Sequence, residues 1–331
     1  MANSDKIRAG RNRTLTVSEE EIPDLKRIIT FPEELSGKSS FVDLLINADA
    51  LTVLDKIPDE CASLIIIDPP YNLSKTFNSS KFNAMSDNMY EEYLRTWFKK
   101  VCDKLKPDGS LYMCGDWKCS SSQQKVISEE LTVINRITWQ REKGRGAKTN
   151  WKNAMEDIWF AVKDKDNYYF DVDSVKMKRQ VIAPYKENGK PKDWEETDEG
   201  NFRITFPSNF WDDISIPFWS MPENTDHPTQ KPEKLLVLAS SRPGDIVLDP
   251  FVGSGTTCVV AKKLGRHYLG IEIDEEYCLW AAKRLTRADK DLEIQGYNGG
   301  FFWERNTLNP QKKSTSVKHP RPEEYNQTLF G

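Results

Sequence analysis

Apolar positions fall in two rhythms along this chain, and the alternation between them predicts its architecture. Residues 62–67 (ASLIII) are continuously apolar and rich in β-branched side chains, as expected of a strand buried on both faces. The run stops at Asp68-Pro69-Pro70-Tyr71, and residues 72–88 have turn chemistry without a period, which predicts a mobile loop above the carboxyl end of the strand. From about 88 to 105, Met89, Tyr93, Trp97 and Val101 recur every fourth residue, with Leu94, Phe98 and Leu105 alongside. That stripe predicts a helix packed on a sheet. Pro107-Asp108-Gly109 closes it before a short strand, SLYMC. A helical stretch through Val126 and Leu131 leads to strand-like NRITW, and a basic loop separates this from DIWFAV at 157–162. Strands alternating with helices predict an α/β sheet.

Between 163 and 224 neither rhythm persists. Lysines and acids mix with prolines and with Trp194, Phe206, Phe210, Trp211, Phe218 and Trp219, which predicts an inserted irregular subdomain whose aromatics mostly form a small core. Order resumes with a helix expected from about Pro232 to just before Pro243-Gly244, then a doubly buried strand, DIVLD. A helix follows Pro250-Phe251-Val252-Gly253-Ser254-Gly255-Thr256-Thr257 and runs to Gly265. The strand HYLGIEI and a helix capped by Asp274 come next, with Lys283, Arg284 and Arg287 placed to suit the negative end of the helix dipole. These shifts divide the chain at 1–40, 41–165, 166–225, 226–304 and 305–331, the first segment an arm and the last a polar tail.

Composition narrows the function classes. A chain of 331 residues can bury a large core, and its 47 basic against 51 acidic residues leave a formal charge of −4, so a nucleic-acid site would have to be a local patch. No apolar run approaches the roughly 18 residues of a membrane span. Six cysteines without a CxxC pair and three histidines exclude a zinc framework and predict no metal. The N-terminal MANSDKIRAGRNR is basic but has no apolar core of a signal peptide, which points to the reducing cytoplasm.

Two motifs carry candidate chemistry. Gly253 and Gly255 sit between a strand and a helix, where missing side chains let the backbone turn tightly and approach a ligand. No lysine follows Gly255, so this is not the phosphate loop of an ATPase. Glu272 ends the next strand roughly 20 residues on, where an acid can accept from two ribose hydroxyls; the alternative is that Glu272 and Asp274 only start the next helix. Asp68-Pro69-Pro70-Tyr71 projects a carboxylate from a strand tip, with prolines that donate no N–H and a ring that can stack. Asp68 and the Pro69 carbonyl would then accept from an exocyclic amine; the alternative is a strand-ending turn with a core tyrosine.

In order, IIIDPPYNLSK, HPTQKP, LDPFVGSGTT and YLGIEIDEEY resemble the motifs of amino-group DNA methyltransferases, in the β arrangement where the catalytic motif precedes the cofactor motif. The resemblance covers about residues 45–290. It implies a Rossmann-like, S-adenosylmethionine-dependent methyltransferase fold of the α/β class, with a largely parallel sheet, one reversed strand and an inserted target-recognition segment at 166–225. The catalytic half would be 41–165 and the cofactor half 226–304. Asp68, Pro69, Pro70 and Tyr71 would hold and activate the target amine. Asp68, Asp249, Phe251, Gly253, Ser254, Gly255 and Thr256 would line the cofactor S-adenosyl-L-methionine, with Glu272 on its ribose and Lys231 near its carboxylate. Asp-Pro-Pro-Tyr is similar to the adenine-N6 form, whereas serine at position 68 would be similar to most cytosine-N4 enzymes.

Several further expectations follow. Cytosine-C5 chemistry would need a nucleophilic cysteine after proline, and no Pro-Cys occurs. Cytosine-N4 or RNA amino methylation, and a non-catalytic DNA-binding protein of the same fold, stay open as alternatives. A target base must be flipped out of double-stranded DNA, with Tyr71 as its stacking partner. The basic loop REKGRGAKTNWK brings Arg141, Lys143, Arg145, Lys148 and Lys152 as phosphate contacts. The resemblance also implies a bacterial or phage cytoplasmic source and a restriction-modification or epigenetic role, and it allows a homodimer.

Overall fold

In this computed structural model, residues 10–304 are described apart from 77, 79–80, 142–146, 182–184, 198–199 and 238. The expected C-terminal tail, 305–331, lies outside the described residues. Nine strands form the main sheet: β1 (Ile29–Thr30), β2 (Leu44–Asn47), β3 (Ala62–Ile67), β4 (Leu105–Gly115), β5 (Thr132–Gln140), β6 (Met155–Val162), β7 (Phe210–Trp211), β8 (Ile246–Asp249) and β9 (His267–Glu272). Their spatial order is β1-β2-β9-β8-β3-β4-β6-β5-β7. Only β6 runs antiparallel to its neighbours β4 and β5, as the single reversed strand that the family resemblance implies. All six residues of β3 are buried, because helices cover both faces and leave no polar side for an alternating pattern.

Four longer helices, α1 (Asp87–Asp103), α2 (Ser120–Glu130), α3 (Thr256–Lys263) and α4 (Glu275–Ala288), accompany the sheet. The buried stripe of α1 is Tyr90, Leu94, Trp97, Phe98 and Val101, while Met89 is exposed one turn outside it. Ser86 caps α1 by accepting from the Met89 amide, and Asp274 caps α4 by accepting from the amides of Glu276 and Tyr277. The loop after Tyr71 is pinned by Asn72, whose side chain donates to the Met85 carbonyl and accepts from the Met85 amide, both at 2.8 Å. It carries a short antiparallel pairing of Lys75–Thr76 with Lys81–Phe82.

Two sequence expectations need correction. The helix expected from Pro232 is a single 3-10 turn, Glu233–Leu236. Leu235, Leu236, Val237 and Ala239 are all buried and so are Glu233 and Lys234, so the segment has no solvent face around which an amphipathic helix could form. The stretch expected to be irregular contains strands Met177–Gln180, Glu195–Thr197 and Gly200–Thr205, which join Tyr297–Asn298 and Phe301–Trp303 in a second, five-stranded sheet. Its period is illegible because its strands are short and pair partly with residues more than a hundred positions away. Phe202 meets Trp303 edge-on at 5.8 Å, and the Lys178 ammonium lies over both rings. Of the expected aromatic core, Trp194 is buried, but Phe206, Phe210, Phe218 and Trp219 are exposed.

The arm joins the body. Leu15 is buried against Tyr277 and Trp280 of α4, and β1 adds an edge strand beside β2. A buried cation ties α4 to the rest: Arg284, expected at the helix's polar end, is 3% exposed. It donates to the Ser254 carbonyl, to Thr256 Oγ1 and to Glu233 Oε1, each at 2.9 Å. One guanidinium thereby fixes the glycine bend, the start of α3 and the 3-10 turn. Without it the buried Ser254 carbonyl and Thr256 hydroxyl lose their donor and Glu233 keeps only Lys263, at 2.8 Å, so Arg284→Met should lower the unfolding free energy by about 3 kcal/mol in a urea titration. A loss under about 1 kcal/mol, the level of an exposed pair, would refute this role.

Candidate functional site

Register places the two strand tips side by side. β8 pairs in parallel with β3, Leu248 opposite Ile65, so Asp249 and Asp68 leave neighbouring strands at the same sheet edge. Between them opens a cavity of 540 Å³ that both motifs line. Asp68, Pro69, Pro70, Tyr71, Lys231, Asp249, Phe251, Gly253, Ser254, Thr256 and Glu272 all reach its wall. Gly255 does not line it. It has φ +87, and a Cβ there would stand 2.6 Å from the Ala281 Cβ, so this glycine permits α4 to pack against the bend.

At the β3 tip the charges are paired. Lys231 Nζ lies 2.6 Å from Asp68 Oδ2 and 3.4 Å from Glu156 Oε2. The Tyr71 hydroxyl donates toward Asp68 Oδ1 at 2.8 Å and toward Glu156 Oε2 at 3.0 Å, so one proton serves two carboxylates. Arg141 closes the cluster at 2.7 Å from Glu156 Oε1. Burial opposes charge on Lys231, but the Asp68 and Glu156 carboxylates outweigh it and raise its pKa. Burial likewise opposes ionisation of Glu156, yet Lys231 and Arg141 hold it below the usual carboxylate range. Tyr71 is pushed well up, first by burial and then by the two carboxylates, and so stays a phenol. Tyr90, fully buried on α1, donates to the Pro70 carbonyl at 3.0 Å and fixes the turn.

The β8 and β9 tips are arranged differently. Glu272 Oε2 accepts from the Gly253 amide at 2.7 Å and Oε1 from the Asp274 amide at 2.9 Å, which leaves each oxygen a second lone pair. Asp249 accepts from the Phe251 amide at 2.8 Å and from the Thr257 hydroxyl. Burial pushes both carboxyls up to about 7. The half-buried His227 faces Gly253, where a Cβ would come within 3.0 Å of its Nε2. Burial and the nearby ammonium groups of Lys231 and Lys75 push this imidazole down to about 3, so it is neutral at pH 7. The residues fit an adenosyl cofactor: a side-chain-free bend at Gly253, a hydroxyl acceptor in Glu272 and an apolar wall from Phe251, Trp97 and Ile273.

The expected residues have these partners. Lys231 gives its ammonium to Asp68 and Glu156, at the β3 end of the cavity. Arg141, expected on phosphate, pairs with Glu156 and lines the cavity. Lys148 and Lys152 are exposed on the loop, and Lys143 and Arg145 lie outside the described residues. Sequence reasoning missed Glu156, His227 and Arg284. His227 opens the HPTQKP segment that was singled out, but Glu156 and Arg284 carried no motif signal. Among the described residues no cluster of His, Cys, Asp and Glu could hold a metal, no helix is long and apolar enough to cross a membrane, and all six cysteines are free thiols.

The N6/N4 methyltransferase family, described as DNA methylase, matches residues 62–284. DNA adenine methyltransferase YhdJ of Escherichia coli (strain K12) is 35% identical over 253 residues, covering 74% of this chain and 83% of that protein. Type II methyltransferase M.HpaI of Haemophilus parainfluenzae is 33% identical over 259 residues, covering 77% and 76%. Among solved structures, PvuII DNA methyltransferase (cytosine-N4-specific) superposes with a TM-score of 0.56 at 20% identity, over 75% of this chain and 92% of that one, a likeness of fold.

The raised carboxyls give a test in the ligand-free protein. Glu272 binds its proton more tightly folded, near pH 7, than unfolded, near the ordinary 4.5. Its contribution to stability is therefore full below about pH 4.5 and lost as pH rises through 7, at about 1.4 kcal/mol per pH unit between. Unfolding free energies measured from pH 5 to 7 should fall less steeply for Glu272→Gln than for the wild type. Parallel curves would show that this carboxyl titrates normally.

Proposed function

The chain belongs to the DNA methylase family of N6 and N4 methyltransferases, and from that premise we propose that it methylates the N6 amino group of adenine in DNA, with S-adenosylmethionine as donor. The observation that carries the reading is the shared cavity, with the Asp68 carboxylate at one end and the Gly253 bend and Glu272 at the other. Adenine is favoured by the aspartate of Asp-Pro-Pro-Tyr and by the relative named as an adenine methyltransferase.

When bound, S-adenosylmethionine supplies an electrophilic methyl group on sulfur. The chain's own residues do the rest. The amine of a nucleobase is a weak nucleophile because its lone pair is delocalised into the ring. Asp68, by accepting an N–H bond, draws the nitrogen toward tetrahedral geometry and frees that pair. Tyr71, its hydroxyl anchored between Asp68 and Glu156, offers its ring as a wall for a flat base that has been flipped from the duplex. Holding both reactants on adjacent strand tips replaces a chance encounter with an aligned one.

Lys148 and Lys152, with the exposed Trp151, serve as phosphate and base contacts on the chain that follows Arg141. Residues 166–225, including three of the five strands of the second sheet, serve as the target-recognition segment.

Asp68→Asn keeps the shape of the side chain and removes its charge. Transfer of labelled methyl groups to DNA should fall by about 10²–10³-fold or more, with DNA affinity retained. Nucleoside analysis of the wild-type product should show N6-methyladenine. N4-methylcytosine would redirect the target base, and undiminished turnover by Asp68→Asn would remove the mechanism.

A further inference from the structure

Both oxygens of Asp68 are already engaged: Oδ2 by the Lys231 ammonium at 2.6 Å and Oδ1 by the Tyr71 hydroxyl at 2.8 Å. Each oxygen keeps a second lone pair, but an ammonium in contact offsets the charge of the carboxylate and weakens it as an acceptor for an incoming amine, and Lys231, at 8% exposure, cannot be released into water. One acceptor stands ready for it. Glu156 is 4% exposed, its Oε2 is 3.4 Å from the same Nζ, and the Tyr71 hydroxyl already bridges to that oxygen. Its other oxygen is held by Arg141 at 2.7 Å, so its position is set from outside the exchange.

We infer that Glu156 is a positioning residue that takes over Lys231, and with it the Tyr71 proton, when Asp68 turns to the target amine. The inference rests on the amine-methylating reading above and deepens it. The cluster suits the exchange electrostatically. Asp68 and Glu156 balance Lys231 and Arg141, so a shift of the ammonium by about an ångström redistributes charge within a neutral group and leaves none unpaired. The anchor matters too. Arg141 follows β5 directly, and its amide donates to the Ala154 carbonyl at 2.8 Å, so the basic loop is closed at its base beside Glu156.

The test compares Glu156→Gln and Glu156→Asp with the wild type in single-turnover methyl transfer to DNA, with DNA affinity and melting temperature measured on the same samples. Gln keeps size and hydrogen bonding but not charge; Asp keeps the charge. The exchange predicts a fall in the transfer rate of roughly 10- to 100-fold for Gln, with DNA affinity within about twofold, and substantial recovery for Asp. A rate for Gln within about twofold of wild type overturns the inference. So does an equal loss in both variants, whether or not melting temperature falls, because the charge would then not be what matters. Wild-type protein that transfers no methyl group to DNA in the same assay sinks the underlying function instead, and the two failures are thereby told apart.

Discussion

An ammonium buried between two carboxylates is the constraint on which the rest of this molecule depends. Lys231 can be held away from water only if Asp68 and Glu156 are both within reach, and Asp68 is 163 positions away in the chain. Three segments must therefore converge: the β3 tip, the start of β6 and the turn before Glu233. Burying ions costs more than their attraction returns unless the geometry is good and the remaining lone pairs are used. Here they are used, by Tyr71 and Arg141. The cluster thus specifies which ends of the sheet lie together more than it adds to stability, and the specified place is the β3 end of the cavity.

The reversed strand explains how Glu156 enters. At the carboxyl edge of a parallel sheet, each neighbouring strand contributes residues from its end. β6 runs the other way, so it contributes residues from its beginning. Its first residues pair with the last of β4 and β5: Asp157 lies opposite Gly115 and Glu156 opposite Trp139. Glu156 consequently sits at the same edge as Asp68 without following a strand. A search for acids after buried apolar runs finds Asp68, Asp249 and Glu272 and passes over Glu156, because there the acid comes before the run.

That difference also marks what the sequence makes legible. Continuous burial of 62–67 and the alternation of runs with helical stripes were enough to place β3, α1, β8 and β9, and the order of motifs was enough to bring Asp68 and Gly253 to one cavity. Local chemistry explains the successes, since Ser86 and Asp274 act on amides only two or three residues away. Long-range pairing explains the losses. The strand Met177–Gln180 is stabilised by Phe301–Trp303, and the Pro232 segment is shaped by Arg284, Lys263 and Asp213 around it, none of which a window of ten residues contains. Gly255 shows the same limit on a smaller scale. Its type and spacing are those of a ligand-facing glycine, but its missing side chain accommodates Ala281.

The two ends of the cavity balance charge in opposite ways, and that asymmetry fits two different guests. Around Asp68 every buried charge has a counter-charge, so a neutral base can enter without disturbing the total. Around Asp249 and Glu272 burial acts without a cationic partner among the described residues, which is why both carboxyls sit near 7. A guest bearing positive charge and hydroxyl donors would favour their ionised forms, since it supplies what the protein withholds. In the proposed reaction, this difference in charge between the two ends would help sort the two reactants.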